Sequence, residues 1–140
     1  MIVLDTNVVS ETVRRAPDVG VLAWLDAQTD QLALTAITVG ELWTGVRQLP
    51  DGARRDGLAS AIRDVLVRWA VILPYDAAAA EAFAAMRGLA RRSGRGLSVE
   101  DGMIAAICAV RGATLATRNV PDFDFLPILL VNPWSGGAGA

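Results

Sequence analysis

An α/β fold with a mostly parallel central sheet, covered by helices on both faces, is what this sequence predicts. Short apolar runs alternate along the chain with longer segments of helical periodicity, which is the pattern of βαβ units. Strands separated by helix-length connections pair in parallel, because a crossover is needed to bring the second strand back in the same direction. No internal repeat or low-complexity interior divides the chain, and 53% hydrophobic residues in a length of 140 suffice for one core.

Ile2-Val3-Leu4 is an apolar run ending in Asp5-Thr6-Asn7 and predicts a first strand, and Val8, Val9 and Val13 behind it have the spacing of a short helix. Val19 to Ala27 predicts a second helix and Gln31 to Thr35 a second strand. Val39 to about Leu49 predicts a third helix, stopped by the turn residues Pro50-Asp51-Gly52. Leu58 to Trp69 repeats the helical spacing, Val71 to Leu73 reads as a strand closed by Pro74, and Ala77 to Arg92 is an alanine-rich helix. After the Ser93-Gly94-Arg95-Gly96 loop, Val99 to about Val110 forms a further helix with Gly112 as its C-terminal cap. Ala113 to Thr117 and Ile128 to Val131 complete the strands. Residues 1–134 read as one domain and 135–140 as a flexible tail.

Two absences narrow the chemistry. There is no histidine, and all 13 basic residues are arginine. A Ser-His-Asp triad, an HExxH zinc site, a Walker A lysine and a lysine Schiff base are thereby excluded. GxGxxG does not occur, so the usual dinucleotide fingerprint is missing too. Carboxylate chemistry remains, and carboxylates with water suit the hard cations Mg²⁺ and Mn²⁺. A mean hydropathy of +0.38 notwithstanding, no run reaches the roughly 18 uninterrupted apolar residues of a membrane span. No secretory leader pattern precedes the first strand, and the single Cys108 can form no intramolecular disulfide, so a cytoplasmic location is expected.

Functional groups in such sheets gather beyond the carboxyl ends of the strands. Asp5 stands at such an end, Glu41 and Asp101 fall in the first turns of expected helices, and Arg118 to Asp124 follows a strand. Each acid also fits a cap: Asp5 as an N-cap, Thr38-x-x-Glu41 and Ser98-x-x-Asp101 as capping boxes. Capping gives no reason for acids to recur at one sheet edge, whereas a metal-dependent phosphodiesterase needs several converging from separate elements.

The segments Leu4-Asp5-Thr6-Asn7, Ile37-Thr38-Val39-Gly40-Glu41-Leu42, Asp101 with Ile104-Ala105-Ala106, and Leu115-Ala116-Thr117-Arg118-Asn119 resemble, in order and spacing, the successive motifs of PIN-domain proteins. The resemblance is nearest to the VapC-like toxins, including the FitB-like branch, whose chains end in a similar Asn-Pro-Trp, here Asn132-Pro133-Trp134. It implies an α/β/α sandwich, Mg²⁺- or Mn²⁺-dependent endoribonuclease activity on an RNA substrate, a homodimer, and a VapB-like protein antitoxin that covers the active site. Carried over residue by residue, Asp5, Glu41 and Asp101 match the common catalytic and metal-binding acids. The fourth ligand is open between Asn119, where some relatives have an acid, and Asp122 in Asp122-Phe123. Thr6, Asn7 and Thr117 match supporting positions. A PIN-fold RNA-processing nuclease outside a toxin–antitoxin pair, or a catalytically silent PIN-fold binding module, are the alternative readings.

A net charge of −2 is unlike a generic nucleic-acid binder. Arginines can still track a phosphate backbone locally. Arg87, Arg91, Arg92 and Arg95 fall within nine residues free of acid, Arg87 and Arg91 at i, i+4, and Arg118 follows the strand beside the acids; these are the candidate RNA contacts. Trp24, Trp43 and Trp69 are expected to pack helices, and Trp134 to anchor the tail.

Overall fold

A computed structural model describes residues 1–135 and forms a five-stranded, all-parallel sheet in the order β3-β2-β1-β4-β5. The strands are β1 (Ile2–Leu4), β2 (Leu32–Thr35), β3 (Ile72–Leu73), β4 (Thr114–Ala116) and β5 (Leu129–Val131). The helices are α1 (Thr6–Thr12), α2 (Val19–Ala27), α3 (Ala36–Arg47), α4 (Ala53–Arg68), α5 (Ala77–Arg92) and α6 (Val99–Arg111). Central β1 pairs Ile2 with Leu32 and Thr114, and Leu4 with Ala116. Having a neighbour on each side and a helical layer on each face, it is apolar throughout.

Side chains alternate across the sheet, and the two cores follow that alternation. Val3, Ala33, Leu73 and Leu115 point to one face, where they pack with Met86, Ile104, Ile107 and Phe123 under α5 and α6. Ile2, Leu4, Leu34 and Ala116 point to the other, against Val8, Val21, Leu42, Ile62 and Trp69 of the α1–α4 layer. α5 packs against α6, with Ala79 and Met86 of α5 in the same core cluster as Ile104 and Ile107 of α6.

The expected α/β/α layering is therefore present, with boundary differences that have local causes. α3 begins at Ala36, not Val39, because Thr35 caps it: the Thr35 hydroxyl accepts from Thr38 N at 3.1 Å. Glu41 consequently lies past the first turn, and Thr38 is not the cap of a capping box. α4 begins at Ala53, five residues before Leu58, since its first turn is largely exposed and shows no apolar periodicity; Gly52 at φ 150° turns the chain into it, and Asp56 in that turn suits the helix dipole. Gly112 ends α6 in the left-handed region at φ 61°, as expected of a C-terminal glycine. Ser135 closes a short 3₁₀ turn, Pro133–Ser135, while the rest of the expected tail lies outside the described residues. Among the described residues no helix is long and apolar enough to cross a membrane.

Candidate active site

Asp5 follows the last residue of the central strand, so the sheet itself sets its position. Its N–H continues the parallel ladder by donating to Ala116 O at 2.9 Å, and its carboxylate then caps α1 through Thr6 N at 2.8 Å. The cap reading and the site reading of Asp5 are thus compatible, since one oxygen caps and the other is held from across the sheet. Asp5 Oδ2 accepts from Thr117 Oγ1 at 2.7 Å and from Asn7 Nδ2 at 3.0 Å. Thr117 is fully buried and also accepts from Asn119 N at 3.1 Å, which fixes the start of the loop after β4.

Glu41 approaches from α3. Thr6 Oγ1 donates to Glu41 Oε1 at 2.8 Å, so adjacent residues of one helix start hold two of the acids. Asp101 comes from the first turn of α6, where Ser98 is the N-cap and accepts from Asp101 N at 3.1 Å, as the capping-box spacing predicts. Asp122 lies in the 3₁₀ turn Val120–Asp122, its N–H donating to Asn119 O at 2.9 Å. Phe123, wholly buried, pins that turn into the core. Arg95 clamps it from outside by donating to Pro121 O at 2.6 Å and to Asp124 Oδ1 at 2.9 Å while stacking on Phe125.

The electrostatics show that these acids share one neighbourhood. Burial raises the Asp5 carboxyl above the usual aspartate range, the hydrogen bonds from Thr117, Thr6 and Asn7 pull it back, and the Asp122 charge adds to the rise. Glu41 is raised first by burial and further by Asp5, Asp101 and Glu100, with the Thr6 hydrogen bond opposing. Asp101 is raised by burial and then by Asp5, Asp122 and Glu100, against the Ser98 hydrogen bond. None of the ion pairs among the described residues involves Asp5, Glu41, Asp101 or Asp122. The acids are left to repel one another, an arrangement a cation would relieve.

Among the described residues, however, no three acid, cysteine or histidine side chains already close around a single point that an ion could occupy. The donor set nonetheless fits a hard divalent cation: every group is an oxygen and no cationic side chain competes. An open cleft of about 630 Å³ leads from Glu41 and Asp101 between α3 and α6, with Thr44, Gln48, Ser98 and Glu100 on its walls.

Glu100 and Gln48 belong to this neighbourhood without having been singled out in the sequence. Glu100 had a signal, its adjacency to Asp101 in a helical first turn. Gln48 had none, because its place depends on the packing of α3 beside α6. Of the arginine candidates, Arg87 donates to Leu97 O at 2.5 Å and lies over Phe83, and Arg95 clamps the Asp122 loop, so both fasten local structure. Arg91 and Arg92 end α5, exposed, where cations suit the helix dipole. Arg118 joins the site through its backbone, donating to Asn7 Oδ1 at 3.2 Å.

This arrangement has close counterparts. A profile of the PIN domain matches residues 2–124. The VapC ribonuclease Y4jK of Sinorhizobium fredii is 41% identical over 137 residues, covering 96% of this chain and 98% of that protein. Toxin FitB of Neisseria gonorrhoeae is 38% identical over 137 residues, covering 96% of this chain and 99% of FitB. The crystal structure of FitAcB from the same organism superposes with a TM-score of 0.90 at 38% identity, covering 96% and 99% of the two chains. Solved structures of similar fold include toxin–antitoxin complexes, some bound to DNA. With the family profile matching residues 2–124 and similarity running along 96% of the chain, this chain belongs to the PIN-domain family.

Proposed function

We propose that this chain is a divalent-metal-dependent endoribonuclease and the toxin of a VapBC-type toxin–antitoxin pair, hydrolysing RNA phosphodiester bonds. The observation that carries the reading is the convergence of Asp5, Glu41 and Asp101 from β1, α3 and α6 with no cationic side chain paired to them. Its support from relatives is the 41% identity to a VapC ribonuclease.

Asp5, Glu41 and Asp101 would hold the cation, Mg²⁺ or Mn²⁺, with Asn119 or Asp122 completing the set. A cation bound there supplies Lewis acidity and neutralises charge on the scissile phosphate. The protein contributes position: Thr117 and Asn7 fix one oxygen of Asp5, Thr6 N fixes the other, and the Thr6 hydroxyl aims Glu41. Thr44, Gln48 and Ser98 offer neutral hydrogen-bonding groups to a nucleic-acid strand in the cleft. This hydrolysis needs no 2′-hydroxyl nucleophile, so preference for RNA rests on the shape of the strand admitted.

The same cleft is where a VapB-like antitoxin would act, by presenting an arginine that pairs bidentately with the carboxylates in place of metal. Residues 1–134 would work as one PIN domain, in a cytoplasmic homodimer. Expression with and without an antitoxin frame, followed by mapping of new RNA 5′ ends, tests the reading. Asp5→Asn, Glu41→Gln and Asp101→Asn should each abolish cleavage and toxicity while the fold persists by thermal melting. Turnover by the wild-type chain in excess EDTA, or undiminished cleavage by all three variants, would refute it.

A further inference from the structure

Arg118 and Trp134 stand apart in sequence and meet in space. The Arg118 guanidinium carbon lies 5.1 Å from the centroid of the Trp134 ring, within the range at which a guanidinium is held on an indole face. Both partners are anchored. The Arg118 N–H donates to Asn7 Oδ1, and Nδ2 of the same Asn7 donates to Asp5 Oδ2, so one side chain separates the Arg118 backbone from the acid at the end of the central strand. Trp134 packs against the α1–α4 core and α2, and its backbone N–H donates to Asn132 Oδ1 at 2.9 Å.

What Arg118 does not do is equally informative. It is exposed, yet it enters none of the ion pairs among the described residues, neither with Asp5, two hydrogen bonds away from its backbone through Asn7, nor with Glu41, Asp101 or Asp122. An arginine serving only to neutralise those acids would pair with one of them. Stacking on an indole occupies the face of the guanidinium and leaves its in-plane N–H donors available, in the fork that matches a phosphate. The geometry points to Arg118 as a phosphate-binding residue of the nuclease site, with Trp134 as the positioning residue that holds its guanidinium. This rests on the endoribonuclease reading above. Trp134 lies beyond residues 2–124, the stretch matched by the PIN-domain profile.

The test is binding of a fluorescein-labelled single-stranded RNA of mixed sequence to the full chain in EDTA, together with cleavage of the same RNA when Mn²⁺ is supplied. Arg118→Met should weaken binding about tenfold and flatten the dependence of log K on log salt by about 0.7, the share of one phosphate contact on a single strand. Arg118→Lys should keep most of the salt dependence but lose affinity, because a lysine does not stack as a planar fork. Trp134→Ala should weaken binding roughly two- to fivefold, the scale of a stacked cation at an exposed site. Trp134→Phe, which preserves a ring, should restore most of it. The double variant Trp134→Ala, Arg118→Met should bind no worse than Arg118→Met alone, a result that lost packing by itself would not produce. Arg118→Met with wild-type affinity and salt slope overturns the proposal, as do losses that multiply in the double variant. If Arg118→Met instead spares RNA and weakens the antitoxin, Arg118 is a protein contact and the proposal is wrong. A wild-type chain that neither binds nor cuts RNA overturns the nuclease reading, and this inference with it.

Discussion

Thr117→Val removes one hydroxyl from the centre of the site and leaves the shape of the side chain nearly unchanged. Thr117 is fully buried, and its Oγ1 makes the 2.7 Å hydrogen bond to Asp5 Oδ2 while accepting from Asn119 N. A hydrogen bond to a charged acceptor contributes about 1.5–3 kcal/mol. The methyl that replaces the hydroxyl returns about 0.8 kcal/mol of apolar burial. The net loss is therefore about 1–2 kcal/mol, which for a domain of this size lowers Tm by about 3–6 °C. Because the lost bond favours the ionised carboxylate, Asp5 rises further above the usual aspartate range and its affinity for a divalent cation falls. The destabilisation should be larger at pH 7 than at pH 4, since at the lower pH more of Asp5 is already protonated. Thermal melts at the two pH values and calorimetric titration with Mn²⁺ measure both effects, and Thr117→Ser, which keeps the hydroxyl, is the control. A Thr117→Val chain with the wild-type Tm at pH 7 and unchanged Mn²⁺ affinity would refute the role assigned to this hydroxyl.

Asp122→Ala should weaken Mn²⁺ binding and cleavage well beyond Asp124→Ala, with Asn119→Ala between them. Asp122 acts electrostatically on Asp5 and Asp101, while Asp124 is spent on its exposed pair with Arg95, and such a pair contributes at most about 1 kcal/mol; equal effects of the two aspartates on Mn²⁺ titration would contradict this. Gly102→Ala should destabilise the chain by about 1–3 kcal/mol in urea melts, because its new Cβ would stand 2.7 Å from Phe83 Cε2 across the α5–α6 contact. Gly57→Ala, with nothing within 4 Å, should stabilise α4 by up to about 1 kcal/mol in the same melts. The raised carboxyls of Asp5, Glu41 and Asp101 mean that the metal-free folded chain binds more protons than the unfolded one, so their contribution to stability is present in acid and lost as pH rises through the raised values. Glu11, held ionised first by Asp18 N and then by Arg14, works in the opposite direction. The informative comparison is therefore with the triple variant Asp5→Asn, Glu41→Gln, Asp101→Asn: relative to it the metal-free wild type should lose Tm from pH 4 to 7, while Mn²⁺ affinity climbs over the same interval.

Much of this fold was legible because its strands are short apolar runs, the central one buried on both faces, and its helices carry clear punctuation. α2 and α5 match the sequence reading residue for residue, and Gly112 marks the end of α6 by its conformation. The misses occur where no apolar side chain reports the structure, as in the largely exposed first turn of α4. They also occur where one hydroxyl-bearing residue caps in place of another, as Thr35 does for Thr38. The site was legible in its acids, since carboxylates at strand ends and helix starts are few and their spacing survives folding. Its long-range contacts were not: the hydrogen bonds of Thr6 to Glu41 and of Thr117 to Asp5 span 35 and 112 positions, and no local pattern encodes them. The fate of the arginines was hidden for the same reason, because a charged helix face reads alike whether a guanidinium contacts solvent, a carbonyl or a ring.

The bond from Thr117 to Asp5 also sets a clock on synthesis. Asp5 is made well before the hydroxyl that fixes it, which follows 112 residues later. At about 5–20 residues per second that interval is about 6 to 20 seconds, during which the nascent chain carries Asp5 without the β4 edge that orders it. Asp101 is absent for most of it. A site built this way is not assembled until the chain through Thr117 has been made.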